Sequence, residues 1–451
     1  MSLFSTLLTS ANALRVIDQQ LATTQNNVAN AGTPGYAKQR LSINSLPFDP
    51  AGGLPGGVSA GELESYRDVY IEQTVRRRQQ AWGAAQQQAS DLQRLEPLFD
   101  VTGEAGIPGA LNALLQSFSS LSVTPNDTVA RQAVIDRASD LSLRFVQDAT
   151  ALDSFKLDLD DQMRGVVDTI NQLAGDVRAL NAEVRQDSRS GGDPNVDAKL
   201  NATLEELSEY ADITTLKQPD GSVTVLLGGQ TPLVIGDRAF TVTADFSGAN
   251  TAIRDSNGQD ITAQVGAGRL YGLLQTRNQV LPSYITDLNR LAQTLADRVN
   301  AVLAGGIDSA GNAGAPLFAY DTAANAAFSL HVTGITEPEL AAALPGAPGG
   351  NGNALKLASL AESPEIDGLS LTGFYGGLAG RVGQDVERAS GDEQTRQQLL
   401  VQARSLRDNL SGVSLDEEAA NVLAFQRAYQ ASAQLVKVLD ELTEITVNLL
   451  Q

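Results

Sequence analysis

Four groups of residues in this chain have types and spacings that could do chemistry. Gly57-Val58-Ser59-Ala60-Gly61 has the pattern of a nucleophile elbow, whose serine needs a strand before it, a helix after it and a histidine base. It follows Leu54-Pro55-Gly56, and His331 is the single histidine, set in the alternating stretch Phe328-Ser329-Leu330-His331-Val332 that reads as a partly exposed strand. Asp416-Glu417-Glu418 could do acid–base work or bind a cation. Ser414 with Glu417 three residues on makes it a capping box instead, with the acids at the positive end of a helix. Arg76-Arg77-Arg78 could hold phosphate, but on a helix of an acidic chain it reads as a solvated or salt-bridged face. Asp255-Ser256-Asn257-Gly258-Gln259-Asp260 lacks the spacing and closing Glu of a calcium loop and reads as a turn. The expectation is a protein that is not an enzyme, with no catalytic, cofactor-binding or metal-binding residues.

Composition narrows the classes further. Lys and Arg total 32 against 53 Asp and Glu, a net charge of −21, which argues against a nucleic-acid groove. Cysteine is absent, which removes disulfides, thiolate nucleophiles and Cys-ligated zinc. No run of about 18 apolar residues is present, so no membrane span is expected. The first cation is Arg15, and polar Asp18-Gln19-Gln20 soon interrupts the apolar positions, unlike a cleavable secretory signal. The chain is expected to stay in the cytoplasm or to leave by a route that needs none.

The elements are read from periodicity. Leu3, Leu7, Ser10, Leu14, Ile17, Leu21, Thr24 and Val28 step by four and three, a coiled-coil seam on a helix about 40 Å long. It should stop at Ala31-Gly32-Thr33-Pro34-Gly35. Phe425, Ala428, Ser432, Leu435, Leu439, Leu442, Thr446 and Leu449 repeat the pattern at the other end. Such helices are marginal alone in water, so each stripe needs a partner, the protein's own body or another chain. Between them lies a series from Val134 to Val184 that predicts a helix of about 75 Å, weakened by about 1 kcal/mol at each of Gly165 and Gly175, where a bend could form. Short β-branched runs between Ile213 and Ala244, split by Pro219-Asp220-Gly221 and Gly228-Gly229, predict a small β unit.

The fold class expected is therefore mainly α with a β insertion: terminal coiled-coil-forming helices, a long helical-bundle rod and a small all-β outer domain. The organisation expected is an axial helix and extended linker at 1–66, rod helices at 67–211, the β-rich outer domain at 212–265, and more rod at 266–304. A Gly/Pro-rich insertion at 305–367, a last rod part at 368–411 and a C-terminal axial helix at 412–451 complete it.

One stretch is more specific than any of these. Asn26-Asn27-Val28-Ala29-Asn30-Ala31-Gly32-Thr33-Pro34-Gly35-Tyr36 resembles the N-terminal signature of the bacterial flagellar rod, hook and hook-associated axial proteins. Ser411 to Ser432, containing Leu415-Asp416-Glu417-Glu418-Ala419-Ala420-Asn421 and Phe425-Gln426-Arg427-Ala428-Tyr429, resembles the matching C-terminal signature. The resemblance implies an extracellular structural part of the flagellum, exported by the flagellar type III route and joining hook to filament. It implies polymerisation with copies of itself, contact with the hook protein and the third hook-associated protein, and a flagellar export chaperone on the C-terminal helix. The motif residues would then be Asn26, Asn27, Asn30, Thr33, Pro34, Gly35 and Tyr36. The assembly seam would be Leu3, Leu7, Leu14, Ile17, Leu21, Val28, Phe425, Leu435, Leu439, Leu442 and Leu449, with Leu435, Leu439 and Leu442 as the chaperone's hold. Thr33-Pro34-Gly35-Tyr36 would be the rigid turn that redirects the chain outward. A hook or distal-rod member is the alternative within the family, and a cytoplasmic coiled-coil scaffold the alternative outside it.

Overall fold

The longest apolar repeat becomes the longest element. In the computed structural model, which describes residues 3–49, 54–99, 106–187, 193–322 and 325–448, helix α4 runs unbroken from Thr128 to Asp187, 60 residues. It follows α1 (Leu3–Ala29), α2 (Val69–Leu95) and α3 (Ile107–Val123), and precedes α5 (Pro194–Tyr210). Val134, Ala138, Leu141, Phe145, Leu152, Phe155, Leu159, Met163, Ile170 and Val177 are buried along one face of α4, as their period requires. The helix continues through Gly165 and Gly175, where added Cβ atoms would meet nothing.

The rod segment expected at 266–304 contains α6 (Gly268–Gln275) and α7 (Leu281–Ala304), joined by a π turn at Thr276–Val280. Pro282 explains it: the ring has no N–H and crowds the preceding turn, so the ladder widens there. Short α8 (Ala326–Ser329) and α9 (Gly352–Ser359) sit in the Gly/Pro-rich stretch, and α10 (Leu371–Ser411) returns along α2. The chain closes with α11 (Leu415–Asn448).

Residues 46–49 and 54–57, from the stretch expected as an extended linker, belong to an antiparallel ribbon. Its strands β1 (Gln39–Ser45) and β4 (Val58–Ser65) pair Gln39 with Ser65 and Ser45 with Val58, and β2 (Phe48–Asp49) pairs with β3 (Leu54–Pro55) near the tip. Strands β5 (Ile213–Lys217), β6 (Val223–Leu227), β7 (Thr231–Ile235) and β8 (Arg238–Ala239) form one antiparallel meander. Its inner side chains Ile213, Val225, Leu227 and Leu233 join the core of the helices. Asn181 of α4 pins it, donating to the Val223 and Gly236 carbonyls and accepting the Val223 N–H.

Candidate functional site

The two terminal helices pack on each other. Asn27 in the last turn of α1 donates to Glu418 in the first turn of α11, so the pair is antiparallel. Val16 and Leu439 are its buried apolar residues among those described, joined by buried Ser10, Thr24 and Asn27. Leu7, Leu14, Ile17, Leu21 and Phe425 are half-buried, and Val28 is exposed. Leu3 opens α1, and Leu449 lies outside the described residues.

The expectation of one seam on α11 is corrected by the packing. Leu439, with half-buried Phe425, Ser432 and Val436, lies on the inner side. Leu435 and Leu442 lie on an outer row with Ala424, Ala428, Ala431, Val438 and Ile445, all exposed. Ala424, Ala431, Leu435 and Val438 each stand one residue before an inner residue, hence about 100° around the helix. The outer row keeps alternating steps of four and three, so α11 carries two apolar faces and α1 covers one.

The signature residues build the joint between this pair and the rod. Asn27 is buried: its amide donates to the Gln39 carbonyl (2.9 Å) and its oxygen accepts the Gln39 N–H (2.9 Å) and the Tyr36 hydroxyl (3.0 Å). Asn26 accepts from Asn30, and Asn30 accepts from the Thr33 hydroxyl, tying off the end of α1. Thr33-Pro34-Gly35-Tyr36 closes as a β-turn with the Tyr36 N–H on the Thr33 carbonyl (3.1 Å) and Gly35 at φ +73°. A side chain on Gly35 would be strained there, and its Cβ would stand 2.4 Å from the Ala198 carbonyl of α5. Lys38 bonds Glu417 and Glu418, each at 2.9 Å, and its backbone holds Ser411 and Tyr66. Burial pushes the Tyr36 hydroxyl up to about 12, with Glu418 adding to it. Burial alone would lower Lys38, but hydrogen bonds and charge from Glu417 and Glu418 hold it above its ordinary value. The stability that these two groups lend the joint is present below their ordinary values and is lost as pH rises through the raised ones, because the unfolded chain sheds these protons first.

Sequence reasoning missed three parts of this joint. Arg67 pairs with Glu72 and Asp197 and donates to the Gly35 carbonyl; Ser411 donates to Tyr66; and α5 receives the turn. Asp193-Pro194, with the Asp193 side chain capping the Asn195 N–H, was the local signal for α5. Arg67 and Ser411 meet their partners only through the fold and had none. The acids 417–418 do more than cap. The Glu417 N–H reaches Ser414 at 3.4 Å, while both carboxylates turn to Lys38.

The other chemical groups fall as follows. Ser59 lies on the ribbon opposite Asn44, and exposed His331 begins a two-residue strand against Ala319. Asp255 closes its own turn by accepting the N–H groups of Asn257 and Gln259. Arg77 and Arg78 are exposed, but Arg76 is buried, because positions 72, 75, 76, 79 and 80 form the inward face of α2. No cluster of metal-ligating side chains is found among the described residues.

Comparison with known proteins agrees with this geometry. A family profile described as the flagellar hook-associated protein FlgK helical domain matches residues 92–318, and one for the flagellar basal body rod FlgEFG protein C-terminal region matches 408–449. The flagellar hook-associated protein 1 of Bacillus subtilis is 26 % identical, the alignment covering 99 % of this chain and 98 % of that one. The protein of the same name from Salmonella typhimurium is 25 % identical over 68 % of this chain and 58 % of its own length. The flagellar hook junction protein FlgK of Burkholderia pseudomallei has the same fold, with a TM-score of 0.68 at 14 % identity, over 75 % of this chain and 100 % of that one.

Proposed function

Because the chain belongs to the family of flagellar hook-associated protein FlgK, a structural part of the bacterial flagellum at the hook–filament junction, we propose that it works by polymerising there through its terminal helices. The observation that carries this is the second apolar face of α11. Ala424, Ala428, Ala431, Leu435, Val438, Leu442 and Ile445 form a row that α1 leaves uncovered. Burying an apolar side chain such as Leu is worth about 1.5–3 kcal/mol, so a row of them drives association once neighbours supply the other wall. The neighbours are further copies, the hook protein on one side and the third hook-associated protein on the other. Before assembly the same face is where an export chaperone holds the chain. Leu435 and Leu442 touch it directly, whereas Leu439 acts by keeping α11 on α1. The chain leaves the cell by the flagellar export route and does no chemistry of its own.

Deletion of the gene tests this reading. Hooks without filaments in electron micrographs, with flagellin accumulating as monomer in the medium, are the expected outcome. Intact filaments would contradict it, and loss of hooks would assign the chain to the rod or the hook instead.

A further inference from the structure

From Glu72 to Gln80, α2 meets α5, α10 and the meander largely through polar side chains. Glu72 and Arg76, one helical turn apart on its inward face, are 4 % and 7 % exposed. The Glu72 carboxylate takes Arg67 at 2.6 Å and stands 4.0 Å from Arg407. Glu205 of α5 takes Arg404 and Arg407 of α10, and Asp197 of α5 takes Arg67. Arg76 is the cation left over. Its Nη2 donates to the Thr215 hydroxyl at 3.3 Å, whereas Nη1, shut off from solvent, has no partner among the described residues. Burial pushes Arg76 below its ordinary value; Glu72 opposes the shift and Arg67 adds to it.

A buried cation with an empty donor is unfavourable, and the group that could fill it belongs to the same helix. Side chains at i and i+4 share a helix face, and an acid four residues before a base is the favoured order for an ion pair. Glu72 and Arg76 have that spacing and that order. A change of side-chain rotamer on a fixed backbone carries the Glu72 carboxylate from Arg67 to Arg76. What such a change would release is the joint. Arg67 ties three elements together: Glu72 of α2, Asp197 of α5 and the Gly35 carbonyl of the turn. With Glu72 turned to Arg76, Arg67 keeps α5 and the turn but loses its hold on α2.

We propose that Glu72 is a carboxylate shared between Arg67 and Arg76, and that its exchange sets how firmly the terminal unit is held to the rod. In the observed arrangement the turn is braced against α2 and Arg76 is short of a partner. In the other, Arg76 is satisfied and the brace is open. One ion pair replaces another, so a modest force on the turn shifts the balance between the two. The exchange lies within one chain, whatever covers the outer face of α11.

An Arg76 that competes for Glu72 and an Arg76 that only supports the fold predict opposite signs. Arg76→Met keeps much of the side chain's bulk and removes its charge, so Glu72 has no second site. Hydrogen–deuterium exchange of the Lys38 and Gln39 amides, which close on Ser411 and Asn27, should then slow at least about threefold in the full chain. Unchanged or faster exchange there would overturn the proposal. In a Glu72→Gln background neither guanidinium has that carboxylate to compete for, so adding Arg76→Met should no longer slow these amides. Slowing that persists there would also overturn it. The crystal structure of the Arg67→Gln variant decides independently. The Glu72 carboxylate should lie within about 3.2 Å of Arg76 Nη1. Glu72 turned to Arg407 instead, or Nη1 still without a partner, would contradict the exchange.

Discussion

The rod and the terminal unit are built from the same kind of helix and end in opposite conditions. In the rod, α4 lays its apolar face against α3, α5, α7 and the β meander in one continuous core. In the terminal unit, Val16, Ala37 and Leu439 are the buried apolar side chains among the described residues, while Leu8, Phe48, Leu423, Leu435, Val438, Leu442 and Ile445 stay exposed. Its interior is largely polar, held by Asn27, Gln39, Glu418 and Lys38. The rod is finished within one chain. The terminal unit has specific geometry from hydrogen bonds and ion pairs but leaves its hydrophobic burial to neighbours.

Changes on each side should separate the two. Phe145→Ala empties a fully buried site in α4 and should cost about 3–5 kcal/mol in urea denaturation followed by circular dichroism, without altering the α1–α11 pairing. Asn27→Ala leaves the Gln39 backbone groups and Glu418 short of a partner. It should cost about 1–3 kcal/mol locally, read as faster proteolysis around the joint while the rod melts as before. Asp91, fully buried in α2 with one oxygen unpartnered, is pushed up to about 7 by burial. The folded state then keeps a proton that the unfolded chain loses near pH 4, so rod stability should fall as pH rises from about 4 to 7. Asp91→Asn should flatten that slope and stabilise the rod at pH 8. Gly165→Ala and Gly175→Ala meet no neighbour and should each add about 1 kcal/mol. The smallest effect on the isolated chain is the most telling. Leu435→Asp and Leu442→Asp, on exposed positions, should change its stability by less than about 0.5 kcal/mol and abolish incorporation into flagella.

The sequence showed the rod better than the site. The period from Val134 to Val177 had one solution, because a single face of α4 is apolar, and it runs through most of the buried apolar positions, with Val167 and Ala174 buried beside it. On α11 the same stepping rule had two solutions about 100° apart, and the series read from sequence mixed Leu439 from one face with Leu435 and Leu442 from the other. The signature Asn26 to Tyr36 was visible as a motif, but its work depends on Glu418, Ser411 and α5, hundreds of residues away for the first two. Arg76 looked like one of three surface cations, and only the packing of α2 shows it to be buried. Local propensity writes the elements, whereas long-range polar contacts write the joint.

The claim that neighbours complete the terminal unit is tested most directly by hydrogen–deuterium exchange on the purified chain and on isolated flagella. The account predicts that in the monomer the amides of α11 beyond Phe425 exchange far faster than those of α4, and that assembly slows them by orders of magnitude while α4 changes little. Protection in α11 that already equals α4 in the monomer, or that assembly leaves unchanged, would contradict it.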